Sequence, residues 1–208
     1  CVSHRTFAPV KDQARYKSYQ EYLDDESLSP DANYRLLSAG DLIEVASEDD
    51  INLRIALRLL LQLAQIDDGI LADRIRNGNK ELEVRPVGDK WVNRIPDLMV
   101  VQPEHLELAR KAILLDMVPP LFVAEVVSPG GESSDNYQRD YVWKRQQYED
   151  LGIPEYWIID PHRAKVTVLT LSDDGYDAEV YATSQNIVSS VFPTLSISVK
   201  SLLVGNAS

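Results

Sequence analysis

The stretch Leu121-Phe-Val-Ala-Glu-Val-Val-Ser128 decides the fold, because it predicts a strand that is apolar on both faces. Such strands are typical of the interior of a sheet that is covered on both sides. The one acidic residue inside this stretch is Glu125. An isolated buried carboxylate is costly, so Glu125 must pair with another group, be protonated or hold a metal.

Strands and helices alternate around this stretch. Further strands are predicted at residues 81–84, 95–101, 156–160, 165–171 and 178–182. Apolar periodicity predicts a well-buried helix over residues 52–66, with a Ser47-x-x-Asp50 capping box before it. A second helix starts at Asp135 or Asp140 and ends before Gly152, and a third is expected around residues 106–115. This pattern predicts an α/β protein with a mixed β-sheet flanked by α-helices.

The length of 208 residues fits one main domain. We expect it to span residues 34–208, after a peripheral N-terminal extension over residues 1–33 that carries one short helix. No apolar run is long enough for a membrane anchor. The lone cysteine, Cys1, cannot form an internal disulfide. Since no signal peptide pattern is present either, we expect a cytoplasmic location.

The overall charge argues against general nucleic-acid binding. Twenty-one basic residues face 33 acidic ones, a net charge of −12, whereas affinity for DNA comes largely from Lys and Arg. Residues 135–166 are nearly neutral, with five basic and six acidic residues. The three histidines, His4, His105 and His162, show no metal-ligand spacing. Glycine-rich phosphate loops, dinucleotide fingerprints and nucleophile elbows are absent from the sequence.

Two acidic residues on apolar strands are the candidate metal ligands. Asp97 opens the strand after Pro96, and Glu125 lies within its own strand. On adjacent strands the two carboxylates could face each other and chelate a hard divalent cation, which prefers oxygen ligands. An alternative stays open, in which Asp97 is a turn residue and Glu125 belongs to a structural ion pair.

A lysine on the helix before Gly152 is the third candidate. Tyr141, Lys144, Tyr148 and Leu151 recur at spacings of three, four and three residues, which places them on one helical stripe. The Lys144 ammonium is therefore expected to point toward the sheet, although a lysine that extends along the edge of the stripe fits too. Two carboxylates that fix Mg²⁺ and a lysine that stabilises charge suit phosphodiester hydrolysis. A purely structural triad remains the alternative.

Several motifs occur together in one order. They are Pro96-Asp97-Leu-Met-Val-Val101, Ala124-Glu125-Val-Val-Ser128-Pro129, Asp140-x-x-x-Lys144-x-x-x-Tyr148 and Ile153-Pro-Glu-Tyr-Trp-Ile-Ile-Asp160-Pro161. With Glu44 in Gly40-Asp-Leu-Ile-Glu44 and the ending Phe192-Pro193-x-Leu195, the chain resembles the Uma2 family over roughly residues 34–203. That family comprises bacterial restriction-endonuclease-like proteins of the PD-(D/E)XK nuclease superfamily.

The resemblance implies a restriction-endonuclease-like fold over residues 34–208 and Mg²⁺-dependent nuclease chemistry, with Mn²⁺ as an alternative metal. Asp97 and Glu125 match the acidic positions of the superfamily motif, and Glu44 is expected as an additional metal ligand. The superfamily lysine would stand at the position of Val127, so Lys144 is expected to take over its role.

Two functions from different classes follow. The first is a metal-dependent DNA endonuclease with Asp97, Glu125 and Lys144 as catalytic residues. The second is a catalytically silent module that binds a protein or a nucleic acid, which the net charge favours. DNA is the expected partner of the first, no membrane partner is expected, and a homo-oligomer stays open.

Overall fold

A six-stranded mixed sheet forms the centre of the protein. The computed structural model describes residues 16–45, 49–66, 71–88, 90–108 and 111–205. Cys1, His4 and Ser47, which the sequence analysis considered, lie outside these ranges. The described helices are α1 (Tyr19–Leu23), α2 (Asp50–Leu63), α3 (Glu104–Leu108), α4 (Asp135–Tyr137), α5 (Lys144–Leu151) and α6 (Val199–Val204), with a 3₁₀ turn at Ala72–Arg74 and a π-helical segment at Gln138–Trp143.

The described strands follow the predicted alternation. They are β1 (Asn33–Leu36), β2 (Leu42–Val45), β3 (Ile75–Arg76), β4 (Glu81–Glu83), β5 (Asn93–Arg94), β6 (Leu98–Val100), β7 (Ala112–Ile113), β8 (Phe122–Val126), β9 (Glu155–Asp160), β10 (Lys165–Ser172), β11 (Gly175–Ala182), β12 (Asn186–Ile187) and β13 (Ile197–Ser198). The central sheet has the order β11-β10-β9-β8-β6-β3. The predicted mixed sheet flanked by helices is confirmed.

The connection from β8 to β9 places a helix over the sheet. These two strands pair in parallel, whereas the other described neighbours in the central sheet pair antiparallel. Parallel neighbours need a crossover connection, usually a helix. Here α4, the π-helical segment and α5 supply it as one helix over residues 135–151.

The two faces of the sheet have different coverings. On β8, Phe122, Ala124 and Val126 pack into one core with α2 and α6, and we call this side the α2 face. Val123 and Val127 point to the opposite side and pack with Tyr148 of α5, and we call this side the α5 face. Glu125 lies between Val123 and Val127 in the alternation and therefore belongs to the α5 face.

Smaller sheets extend the α5 side. Three strands form the order β5-β4-β7, and β1 pairs with β2. The helix expected around residues 106–115 is shorter than predicted, because Ala112 and Ile113 pair with β4 as a strand. Ile113 gains a buried site in the core of the α5 face. Long-range pairing of this kind overrides local helical periodicity.

Helix α1 packs firmly against the main domain. Its Tyr19 and Tyr22 are buried, and their hydroxyls donate hydrogen bonds of 2.6 and 2.7 Å to Glu81 of β4. Asn93 donates a further bond of 2.8 Å to the same carboxylate. Residues 16–33, the described part of the expected extension, thus share a polar cluster and a hydrophobic core with the following strands.

Helix α2 is less buried than the well-buried helix that the sequence predicts. Asp49 caps its N-terminus, and its side chain accepts a hydrogen bond from Ile51 N. Ile55, Leu59 and Leu63 are fully buried, whereas a second stripe lies half exposed to solvent: Ile51, Leu53, Leu57 and Leu61. A helix on the outer layer buries only the side that meets the sheet. None of the helices in the described ranges has the length and apolar character to cross a membrane.

Glu155 fixes the C-terminal segment to the α2 face, and its removal should destabilise the fold. Its carboxylate accepts hydrogen bonds from Trp157, Ser189, Ser190 and Val191. We expect Glu155→Gln to lower the free energy of unfolding by about 3 kcal/mol, because several buried donors lose a charged acceptor. Urea denaturation measures the change. An exposed control, Asp177→Asn, should leave the unfolding midpoint unchanged, and an unchanged midpoint for Glu155→Gln would contradict the prediction.

Candidate active site

Asp97 and Glu125 lie next to each other on the α5 face, where β6 begins and β8 ends. In the pairing of β6 with β8, Leu98 stands opposite Ala124, so one further step of this register places Asp97 opposite Glu125. Asp97 Oδ2 accepts a hydrogen bond of 2.6 Å from the backbone N–H of Val126, the residue after Glu125. Opposed residues of an antiparallel pair have Cβ atoms about 4.5–5.5 Å apart. The fold therefore brings together the two acids that the sequence analysis singled out.

Glu125 is the buried centre of this site. Its side chain is only 2% exposed, and its two oxygens have separate partners. The Tyr148 hydroxyl donates a hydrogen bond of 2.5 Å to Oε1, and Lys144 Nζ lies 2.8 Å from Oε2. Burial and the negative Glu125 raise the pKa of Tyr148 well above its ordinary value, so Tyr148 is a neutral donor. The buried Glu125 carboxylate thus has two partners, the charged Lys144 and the neutral Tyr148.

The Lys144 ammonium lies between two carboxylates. It is 2.8 Å from Glu125 Oε2 and 3.0 Å from Asp140 Oδ1. Burial acts to lower the pKa of Lys144, but Asp140 and Glu125 outweigh it and raise the pKa above its ordinary value. The Lys144 side chain is 12% exposed, so its ammonium points toward the sheet and does not extend along the edge of the helical stripe into solvent. Lys144 therefore stays positively charged at neutral pH.

Asp140 is a member of this site that the sequence analysis did not select. Its side chain is 1% exposed, and Arg139 Nε lies 3.0 Å from the same oxygen that contacts Lys144. Its Oδ2 also accepts a bond of 3.3 Å from Ser128 N, just beyond β8. The signal was present as an acid four residues before a lysine, the spacing of neighbours on one helical face.

The helix between β8 and β9 contacts two polar sites and contains a π-helical segment. Residues Gln138–Trp143 are π-helical, and α5 continues from Lys144. Tyr141, expected on the same stripe as Lys144, packs with Tyr148 and Leu151 in the core of the α5 face and also donates a hydrogen bond of 2.6 Å to Asp160. The helix thus contacts Glu125 through Lys144 and Tyr148, and Asp160 through Tyr141. Such interruptions of α-helices are frequent at functional sites.

The carboxylate oxygens at this site are of the kind that Mg²⁺ prefers as ligands. Asp97 and Glu125 offer carboxylate oxygens, and Mg²⁺ is commonly held by one or two carboxylates together with waters and substrate phosphates. A carboxylate has about four acceptor positions, of which Glu125 uses two here. Within the described ranges, no three Asp, Glu, His or Cys side chains group closely enough to hold a metal by themselves.

Glu44, the expected additional metal ligand, lies on β2 of the two-stranded sheet β1-β2. It is exposed on β2, opposite Tyr34 of β1. No hydrogen bond or ion pair in the described part of the chain joins it to Asp97, Glu125 or Lys144. Its role as an additional metal ligand stays a prediction.

Comparison with known proteins agrees with this fold. A solved structure described as a "putative nuclease belonging to DUF820 from Anabaena variabilis ATCC 29413" is similar, with a TM-score of 0.61 and 17% identity over 88% of this chain and 96% of that chain. The mixed sheet and its flanking helices thus form a nuclease-like α/β fold. The model of the Uma2 family, described as "Putative restriction endonuclease", matches residues 19–200, and the chain belongs to this family. No curated protein matches the chain.

The buried Asp140 carboxylate should make stability depend on pH. Burial acts to raise the pKa of Asp140, but Lys144 and Arg139 outweigh it and hold the pKa below its ordinary value of 3.8. The stabilisation is therefore complete above about pH 4 and is lost as the pH falls through the lowered folded-state pKa. We expect Asp140→Asn to cost about 3 kcal/mol at neutral pH and less near pH 3.

Urea denaturation of the wild type and of Asp140→Asn at both pH values measures this effect. A free energy difference that does not change with pH would contradict the prediction, because it would mean that the carboxylate charge makes no contribution.

Proposed function

We propose that the protein is a metal-dependent nuclease that hydrolyses phosphodiester bonds in DNA. The observation that carries this proposal is the placement of the Lys144 ammonium, 2.8 Å from Oε2 of Glu125, which lies on the strand whose Val126 N–H donates a hydrogen bond to Asp97. Two carboxylates and a cation at one place are the groups that metal-assisted phosphodiester hydrolysis requires. Membership of the Uma2 family supports the same activity.

Asp97 and Glu125 would hold Mg²⁺ or Mn²⁺. When bound, this metal lowers the pKa of a coordinated water and neutralises charge on the phosphate oxygens. Lys144 stays protonated because Glu125 and Asp140 raise its pKa. It therefore serves as a charge stabiliser for the phosphate and not as a general base. Tyr148 fixes the orientation of Glu125, and Asp140 holds Lys144 in place, so both are positioning residues.

A catalytically silent binding module is the second candidate. Its support is that the ion pairs are closed in this structure, since Lys144 contacts both Glu125 and Asp140, and Tyr148 takes the other oxygen of Glu125. Such an arrangement satisfies buried charges without any metal. The net charge of −12 also favours it. Cleavage assays combined with stability measurements separate the two functions.

Cleavage should require both a divalent metal and the acidic pair. We expect the wild type to cut DNA with Mg²⁺ or Mn²⁺ and not with EDTA. Asp97→Ala and Glu125→Gln should each abolish cutting, because a hard cation loses a charged oxygen ligand. Glu155→Gln is the matched control, since it removes a buried carboxylate from the opposite face of the same sheet. Loss of cutting in this control, measured at a temperature where it is still folded, would contradict the assignment, because it would mean that the loss of cutting is not specific to the two proposed metal ligands.

Lys144→Ala should slow turnover by about a hundredfold or more while metal binding is retained, because one charge stabiliser is removed. Metal titration, turnover and melting temperature should be measured on the same protein.

A silent module predicts a different outcome. Truncation of one member would then cost about 3–5 kcal/mol in stability, and the wild type would cut neither DNA nor RNA with either metal.

A further inference from the structure

Four side chains form an aromatic and cationic group near the start of the helix between β8 and β9. Tyr137 and Tyr141 lie about one turn apart on this helix, and their rings stack with centroids 4.4 Å apart and an interplanar angle of 20°. The Arg163 guanidinium carbon lies 5.1 Å from the centre of the Tyr137 ring and 5.9 Å from that of Tyr141. Lys165 Nζ lies 5.2 Å from the centre of the Tyr141 ring. We call these four residues the aromatic platform.

Strand register places the aromatic platform next to the candidate active site. Ile158 stands opposite Glu125 in the parallel pairing of β8 with β9, and it packs on the α5 face. Asp160 follows two residues later on the same face and accepts a hydrogen bond of 2.6 Å from the Tyr141 hydroxyl. Lys165 stands opposite Asp160 in the pairing of β9 with β10, so its side chain is on the α5 face too. At about 3.3 Å per residue and about 4.8 Å between strands, the Cα atoms of Glu125 and Asp160 lie about 8 Å apart.

The helix and the loop after β8 also join the aromatic platform to the active site. Asp140, whose carboxylate lies 3.0 Å from Lys144 Nζ, is the residue directly before Tyr141. Arg163 donates a hydrogen bond of 3.1 Å to the backbone oxygen of Gly130, in the loop that follows β8. A separation of about 8 Å corresponds to only a few nucleotides, since a strand advances about 3.4 Å per nucleotide along a duplex axis.

The Tyr137 ring is the outer layer of the stack. Tyr141 packs against the hydrophobic core of the α5 face, whereas Tyr137 belongs to none of the three hydrophobic cores in the described part of the chain. Tyr137 is half-buried, and its hydroxyl is accessible to solvent and forms no hydrogen bond with another described residue. An accessible aromatic ring that is held in position by its neighbours is the kind of surface on which unpaired bases stack.

Lys165 brings an accessible positive charge to the same surface. Its ammonium lies over the Tyr141 ring, is open to solvent, and forms no ion pair or hydrogen bond within the described ranges. Arg163, by contrast, pairs with Asp160 at 2.9 Å, and its side chain is 28% exposed. Lys165 can therefore contact a phosphate, whereas Arg163 holds the two rings in position.

We propose that the aromatic platform binds an unpaired nucleotide of single-stranded DNA, with the base stacked on the Tyr137 ring and a phosphate of the same strand at the Lys165 ammonium. This inference rests on the proposed function, because it names the substrate class of the same site. Surfaces that bind single strands combine aromatic rings for the bases with basic side chains for the backbone. Bases inside a duplex are stacked on each other, so their faces are not available to Tyr137. The platform therefore favours a single strand as the substrate.

Binding of a labelled single strand and of the matching duplex to the full chain tests this proposal. Both should be measured in EDTA and with Ca²⁺, a hard cation that carboxylates also bind. Tyr137→Leu should weaken binding of the single strand by about tenfold, because one stacked base loses its aromatic partner. Binding of the duplex should not change. Tyr137→Phe should bind the single strand like the wild type, because it keeps the ring.

Lys165→Gln should act through charge and not through stacking. The slope of log K against log salt for the single strand should become shallower by about 0.7, the change expected for one lost phosphate contact. Tyr137→Leu should keep the wild-type slope, because it removes no charge. Lys200→Gln is the matched control, since Lys200 is an exposed lysine on α6, which packs on the α2 face. Its slope and affinity should equal those of the wild type.

The duplex also controls for a loss of folding. Tyr137→Leu should melt close to the wild type, because the ring lies outside the hydrophobic cores. If Tyr137→Leu weakened binding of the single strand and of the duplex by the same factor, the stacking contact would be overturned. An unchanged slope in Lys165→Gln would overturn the phosphate contact.

Cleavage with Mg²⁺, measured in parallel, separates this inference from the proposed function. If the wild type cuts DNA and Tyr137→Leu binds the single strand as tightly as the wild type does, the platform is overturned and the nuclease function stands. If Tyr137→Leu loses affinity for the single strand alone and the wild type cuts no DNA, the platform is supported and hydrolysis is overturned. A wild type that binds no single-stranded DNA at low salt, in EDTA or with Ca²⁺, would overturn the inference outright.

Discussion

Burial of the Glu125 carboxylate is the constraint on which the arrangement of the α5 face depends. A charge inside an apolar strand needs partners from outside that strand, because the other residues of β8 are all apolar. The helix between β8 and β9 supplies two of them, Lys144 and Tyr148, one turn apart. Asp140 in turn compensates Lys144, so the helix position, the strand pairing and the charges all depend on one another.

The other two buried glutamates, Glu81 and Glu155, are stabilised by different chemistry from that at Glu125. Glu155 is held by hydroxyl, indole and backbone donors on the α2 face. Glu81 is held mainly by two tyrosine hydroxyls and an asparagine, with Lys111 more distant at 3.9 Å. Neutral donors of this kind stabilise a carboxylate without an interior cation. At Glu125 a buried ammonium is used, and an ammonium can also stabilise a phosphate.

The charge of the whole chain is a poor guide to the charge at this site. Acidic residues are in large excess overall, yet Arg35 and Arg94 both lie over the Trp91 ring although they are 59 positions apart in the sequence. Each arginine by itself follows no motif. Their meeting depends on β1 and β5 lying on the same side of the fold, which the pairing of Leu36 N with Asn93 Oδ1 at 2.9 Å reflects.

The sequence by itself determined the α/β class, the central strand β8 and the prominence of Asp97, Glu125 and Lys144, because these depend on local periodicity and on the cost of a buried charge. It also contained Asp140 four residues before Lys144, but nothing in the spacing separates that acid from an ordinary surface neighbour. Only the tertiary structure decided that Ala112 and Ile113 form a strand, that α2 keeps an exposed stripe and that Arg35 meets Arg94. These features arise from contacts between segments far apart in the chain, and local periodicity carries no information on which segments meet.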